Sequence, residues 1–228
     1  SSKVAFMTAY TFYTGAMLFF LRFNLGLTGR TISAIYLFTN ALSLLFTPLI
    51  LKLAVRFDKK KQMAMAFFIA GAGGMLLSLV RIESLGPALI WISLFSFANS
   101  TYWQLSNAMF YDITEVDEMA NGAKREGSIT SLQCLWGTLT SAAAFQAVGQ
   151  LLKISGFDSS APPQHQEALA GIAKIFVLYP SAGLMIASLL LFYYPMDRRN
   201  FELLKEAMER KKKNLDYGEY ESVIRKLV

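Results

Sequence analysis

A helix that crosses the hydrocarbon of a bilayer needs about 20 consecutive, mostly apolar residues at about 1.5 Å rise each. This chain of 228 residues offers such a run six times. The runs lie at about Val4–Leu25, Thr31–Val55, Gln62–Val80, Ala88–Tyr111, Gly127–Lys153 and Gly171–Tyr194. Backbone polar groups in lipid must be satisfied internally, so apolar runs of this length are helices. The expected fold class is therefore all-α, a polytopic membrane protein with six transmembrane helices. A composition 54% hydrophobic and only 17% charged agrees and leaves little room for a soluble enzyme. The expected division is a bundle over residues 1–194 and a polar tail over 195–228. Within the tail, NFELLKEAMERKKKN carries Phe201, Leu204 and Met208 at helical spacing. It reads as a short amphipathic helix that can lie on an anionic leaflet, or as an ordinary solvated tail. The first run is too long for a signal peptide and no small-residue cleavage site follows it. With no initiating Met, the chain is expected to begin inside a larger polypeptide or to be a processed form of one.

The net charge of +6 invites a nucleic-acid reading, and its distribution rejects it. Alternate loops differ sharply in Lys and Arg. One set holds Lys3, Lys52, Arg56, Lys59, Lys60, Lys61, Lys124, Arg125 and the cations of the tail. The other holds only Arg22, Arg30, Arg81, Lys153 and Lys174. The positive-inside rule makes the first set cytoplasmic. Both termini are then cytoplasmic in a plasma (inner) membrane, and the long loop Ile154–Ala170 is external. Cys134 is the single cysteine, which excludes an intramolecular disulfide and a cysteine-based zinc site. His165, the single histidine, falls in a polar loop. No nucleophile–base pair or metal cluster is present, so neither an enzyme nor a metal cofactor is expected.

The runs are not alike. Ser33, Tyr36, Asn40, Ser43 and Thr47 recur at three- and four-residue steps along one face of the second. Ser96, Asn99, Trp103, Ser106 and Asn107 form a similar stripe on the fourth. The fifth carries Thr130, Gln133, Cys134, Thr138, Ser141, Gln146 and Gln150, and the first Thr8, Tyr10, Thr11, Tyr13 and Thr14. The third and sixth are nearly all apolar in their middles. Lipid cannot satisfy polar groups, so stripes must meet protein or water. Either spans one, two, four and five line a wet cavity with three and six outside against lipid, or the stripes only bond helices to one another.

The most unusual stretch is Tyr102–Gly127, YWQLSNAMFYDITEVDEMANGAKREG. Asp112, Glu115, Asp117 and Glu118 follow an apolar run, and Lys124, Arg125 and Glu126 come next. Carboxylates at a helix C-terminus oppose the macrodipole and are costly near a bilayer unless paired or hydrated. The stretch reads as an ionic latch at a membrane face or as a solvated inter-helix loop.

This stretch resembles the loop between helices ten and eleven of the glycoside–pentoside–hexuronide cation symporters, the melibiose-carrier group of the major facilitator superfamily. That loop runs approximately D-x-x-D-[YV]-x-E and then G-x-[KR]-R-E-[GS]. Here Asp112, Glu115 and Glu118 fill the acidic positions, and Gly122, Lys124, Arg125, Glu126 and Gly127 the rest. Gly156-Phe157, Ala170-Gly171-Ile172, Pro180 and Tyr194-Pro195 match as well, and the resemblance covers about Val4 to Asp197. It implies that the six spans are helices seven to twelve of twelve, one half of a secondary active transporter. Such a carrier moves a sugar or glycoside with a cation by rocking two six-helix halves about a midplane site. The second half would come from the same polypeptide or another chain.

Carried over residue by residue, the resemblance makes Trp103 the aromatic that stacks on the sugar ring, a role that suits indole. Gln133 and Thr138 lie on a helix that faces the site. With the stripe residues Asn99, Asn40 and Tyr36 they make up the expected substrate site. Asp112, Glu115, Glu118, Lys124 and Arg125 would form a cytoplasmic gate that closes in the outward-facing state. One departure stands out: the melibiose carriers hold a lysine within helix eleven, whereas here no cation lies between Arg125 and Lys153, and Thr138 aligns at that position. The coupling ion, Na+ or H+, would be held mainly by carboxylates of the other half. Two alternatives remain open from the sequence: the same fold carrying an amphipathic lipid or drug-like molecule, and a non-transporting six-helix membrane protein.

Overall fold

The computed structural model describes residues 2–80, 82, 84–121, 126–158 and 164–193, with backbone alone between 111 and 121. Among these residues there are six helical rods: Ser2–Asn24 (α1), Gly29–Arg56 (α2), Lys59–Leu79 (α3), Leu85–Asn121 (α4), Glu126–Ile154 (α5) and Gln166–Phe192 (α6). Each expected run falls on one rod. Four of them, α1, α2, α3 and α6, are long and apolar enough to cross a membrane. The regular structure of the described residues is thus all helical, with four helices suited to a multi-pass membrane protein. Residues 195–228, the expected amphipathic tail, lie outside the described residues.

Local chemistry sets the ends. Asp58 opens α3 by accepting the Lys60 N–H at 3.0 Å, an N-cap that satisfies a donor left over at the helix start. Gly156 closes α5 with φ +77°. Its N–H donates to the Lys153 carbonyl at 3.0 Å, and the next N–H, of Phe157, reaches the Leu152 carbonyl at 3.1 Å. This is the paired Schellman closure, which needs a left-handed residue. One boundary differs from expectation. The fourth run ends in apolarity at Tyr111, yet α4 stays helical to Asn121. No glycine or proline interrupts residues 88–121, and Gly122 comes only afterwards. The acidic positions Asp112, Glu115 and Glu118 are therefore carried on a helical extension and not in a loop; Lys124 and Arg125 lie outside the described residues.

α6 widens into a π turn at Lys174–Leu178 just before Pro180. Proline lacks the N–H that would meet the carbonyl four residues earlier, here Phe176. That carbonyl is buried, and the Trp91 indole N–H of α4 donates to it at 3.1 Å. The irregular turn thus ties α6 to α4.

The packing order follows from side-chain size. α3 and α6 lie flat on one another, with α1 on α6 and α4 on α3. Gly74 makes this close approach possible: a Cβ there would run into the Ser181 hydroxyl and the Trp91 ring. Ser188 of α6 donates to the Ala64 carbonyl of α3 at 2.8 Å. α1 and α4 meet through stacked rings, Phe6 on Tyr102 and Tyr13 on Phe95, each pair with centroids 3.8 Å apart. α2 rests on α4, and α5 rests on α1. These two outer rods are sparsely covered. Of the most apolar stretch of α2 only 11% is buried, against 56% in α1, 44% in α3 and 50% in α6. In α5 only Ala144, Val148 and Leu152 are buried.

Candidate functional site

The expected site residues lie on the rods that the bundle leaves open. Trp103 is 45% exposed. Its indole N–H donates to Asn99 Oδ1 at 3.0 Å, one turn back on α4. Tyr10 of α1 meets the Trp103 ring edge-on at 6.4 Å, and Tyr102 does so at 5.3 Å. An indole held on two sides by rings and fixed at its nitrogen is a rigid plate, suited to one flat apolar surface. Beside it Gln104 Nε2 donates to Thr47 Oγ1 of α2 at 3.4 Å, which joins the α2 and α4 stripes.

The other expected residues flank this plate without touching it among the recorded contacts. Asn40 and Tyr36 are exposed on α2, and Asn40 Nδ2 donates to the Tyr36 carbonyl at 2.8 Å. On α5 Thr138 is exposed and Gln133 partly so, and Thr138 Oγ1 donates to the Cys134 carbonyl at 3.0 Å. So Trp103, Asn99, Tyr10, Gln104 and Thr47 are brought together, while Asn40, Tyr36, Gln133 and Thr138 stand on the neighbouring rods.

Part of the expected lining is core instead. Tyr13 and Ser96 are buried, and their hydroxyls have no recorded hydrogen-bond partner. Thr11 is buried and donates to the Met7 carbonyl at 2.8 Å. Tyr13 stacks on Phe95 and on Phe176, so its ring holds α1 to α4 and α6.

Two residues matter more than their positions in the sequence announced. Tyr10 is the α1 partner of Trp103, one of five polar residues on its run. Lys3, grouped by charge with the cytoplasmic loops, is in the first turn of α1 and reaches α5: its Cε would be 3.9 Å from a Cβ on Gly137. Spacing could have found it, because Lys3, Tyr10 and Thr14 share one helical face.

Among the described residues, half-open cavities lie elsewhere. One of about 690 Å³ opens among Asn24, Leu79, Ile82, Leu169 and Lys174, where α1, α3 and α6 end or begin. The other, about 290 Å³, lies between α5 and α6 at Ser155 and Lys174. Neither touches Trp103 or the stripes. Among the described residues no group of three or more His, Cys, Asp or Glu could hold a metal ion.

The described residues form a helical bundle with a π turn before Pro180, an aromatic plate and two open polar rods, and a family match decides where the chain belongs. The family described as MFS/sugar transport protein matches residues 2–198. The chain belongs to that family. The resemblance read in the sequence is borne out, and membership places the chain among transporters and not among enzymes. It is 24% identical over 200 residues to the glucuronide carrier protein homolog of Escherichia coli (strain K12), covering 87% of this chain and 44% of that protein. It is 25% identical over 212 residues to the uncharacterized symporter YjmB of Bacillus subtilis (strain 168), covering 90% and 44%. The chain thus spans less than half the length of the curated relatives it matches. No solved structure matches it.

Proposed function

We propose that this chain is one six-helix half of a cation-coupled sugar or glycoside carrier that works by alternating access. α4 and α5 then cross the membrane with the other four, both termini face the cytoplasm of a plasma (inner) membrane, and a second six-helix half closes the site. One observation carries this reading. Two of the four rods with polar stripes, α2 and α5, are the ones that the bundle covers least. Polar faces left open in a membrane protein need water or protein against them. A half-bundle whose inner wall awaits its partner meets that need; a self-sufficient bundle does not. The exposed residues of α3 from Met65 to Leu79 are, by contrast, all apolar, as expected of a back turned to lipid.

In this scheme the sugar stacks on Trp103, and Asn99, Asn40, Tyr36, Gln133 and Thr138 supply donors and acceptors to its hydroxyls. Asp112, Glu115, Glu118, Lys124 and Arg125 gate the cytoplasmic side. A glucuronide, the cargo in the name of the Escherichia coli relative, belongs to the substrate class. The coupling ion, Na+ or H+, binds mainly in the other half. The test is Trp103→Ala in the full-length carrier, reconstituted in vesicles. Uptake is lost while the amount inserted in the membrane is unchanged. Normal uptake by that variant removes Trp103 from the site.

A further inference from the structure

The larger cavity, about 690 Å³, lies where α1 and α3 end and α6 begins. The proposed topology puts these ends at the external face. Most of the described lining residues are aliphatic and none is aromatic or acidic, so the cavity is no second sugar plate. Asn24 Nδ2 of α1 donates to the Leu169 carbonyl of α6 at 2.8 Å and fixes one wall. The π turn of α6 supplies another, since Lys174, Val177 and Leu178 all line the space. The Trp91 bond to the Phe176 carbonyl holds that turn in place, and π turns inside α-helices are frequent at functional sites. Lys174 is the single charge between Glu167 and Asp197. It lies about 12 Å along the helix from Gln166. Its ammonium has no hydrogen bond or ion pair to another described residue; Glu167 borders only the smaller cavity, which Lys174 also lines. An unpaired ammonium at that depth in a membrane is costly unless an anion or water meets it.

The cavity opens onto a lipid-facing surface. Leu79 lines it and is also 80% exposed. Leu76, Ile69, Phe68 and Met65 of α3 are exposed as well. At 100° per residue they share with Leu79 a stripe about 100° wide, which leads from the cavity toward the middle of the membrane. We propose that this cavity binds an anionic phospholipid of the external leaflet. Its phosphodiester meets the Lys174 ammonium and the Gln166 amide, and an acyl chain runs along Leu79 and Leu76. A single compact ammonium suits the single charge of a phosphodiester. A zwitterionic lipid brings an ammonium of its own, for which the described lining holds no carboxylate. The inference rests on the membrane topology proposed above and is independent of the cargo.

The test strips the full-length carrier of lipid in mild detergent. It is then titrated with short-chain phosphatidylglycerol, short-chain phosphatidylcholine and free glycerol 3-phosphate, and bound ligand is measured by native mass spectrometry. Wild-type protein should bind the phosphatidylglycerol at least about fivefold more tightly than the phosphatidylcholine, the scale of one partly exposed ion pair. Lys174→Met, which keeps the stem and removes the charge, should bring the two lipids to parity, and Lys174→Arg should keep the preference. Glycerol 3-phosphate should bind most weakly, because it brings no chain to the α3 stripe. If Lys174→Met is not recovered folded, Ala173→Leu carries the test: it fills the cavity without changing its charge and should weaken both lipids. Equal binding of the two lipids to wild-type protein, an undiminished preference in Lys174→Met, or undiminished binding in Ala173→Leu overturns the assignment. Glycerol 3-phosphate bound as tightly as the phosphatidylglycerol would make this a site for free phosphate compounds and overturn the lipid reading. None of these readouts involves sugar uptake, so the lipid site and the carrier reading fail separately.

Discussion

Two tryptophans on α4, Trp91 and Trp103, make opposite predictions for the same substitution, Trp→Phe. Trp91 is fully buried, and its N–H satisfies the Phe176 carbonyl that Pro180 cannot. In Trp91→Phe the ring contacts with Tyr13 at 6.2 Å and Phe95 at 5.6 Å largely survive. What goes is the donor, and the carbonyl is left buried and orphaned, a penalty of about 1–3 kcal/mol. The smaller ring leaves a void that costs about 1 kcal/mol more. The sum is roughly 2–4 kcal/mol of stability. Trp103 is 45% exposed, and its N–H meets an amide on its own helix that is itself only partly buried. Trp103→Phe should cost no more than about 0.5 kcal/mol, the range for surface changes. Thermal unfolding of the purified carrier in mild detergent is the assay. The midpoint should fall clearly for Trp91→Phe and scarcely for Trp103→Phe. Equal shifts would mean that the π turn is not held by the indole, and the account of how α6 is fixed to α4 would be wrong.

Gly74→Ala drives a methyl group into the Ser181 hydroxyl and the Trp91 ring. Overpacking of this kind costs about 1–3 kcal/mol, and the same unfolding assay should show it; an unchanged midpoint would mean that α3 and α6 can part freely. Ser188→Ala removes the buried bond to the Ala64 carbonyl, and bonds between membrane helices average about 0.6 kcal/mol. It should therefore be milder than Gly74→Ala, and the reverse order would contradict glycine-controlled packing. Cys134, exposed on the polar face of α5, is the single thiol of this chain. A charged, water-soluble maleimide should label it in the full-length carrier, and saturating substrate should slow the labelling at least about threefold if α5 lines the site; a thiol inert in intact membranes but reactive in detergent would turn that face toward lipid.

The six rods were legible because a membrane imposes a length on apolar runs, and every expected run meets a rod within about three residues at all described ends but two, the start of α6 at Gln166 and the end of α4 at Asn121. The end of α4 is the instructive one. Hydropathy marks where a segment leaves lipid, whereas helix ends depend on glycine, proline and caps. Between Tyr111 and Asn121 apolarity stops and no breaker follows, so α4 outlasts its hydrophobic run. The π turn before Pro180 was not legible in periodicity, because it depends on Trp91, 85 residues away, to satisfy the freed carbonyl.

The polar stripes were legible only in part, and hydrogen-bonding capacity explains which part. A hydroxyl within a helix can donate to the carbonyl one turn back, which makes it indifferent to its surroundings. Thr11, Thr39, Ser43, Thr47 and Thr138 all do so, and Thr11 is accordingly content in the core. Amides and ammonium groups are different. The Asn40 amide satisfies one donor on the Tyr36 carbonyl and still has a second N–H and an acceptor oxygen. Lys3 has three donors and no acceptor to offer its own helix. Groups that their own helix cannot satisfy are the ones that fix which face must be wet, so the orientation of this wall rests on Asn40, Gln104, Gln133 and Lys3 and not on the more numerous serines and threonines.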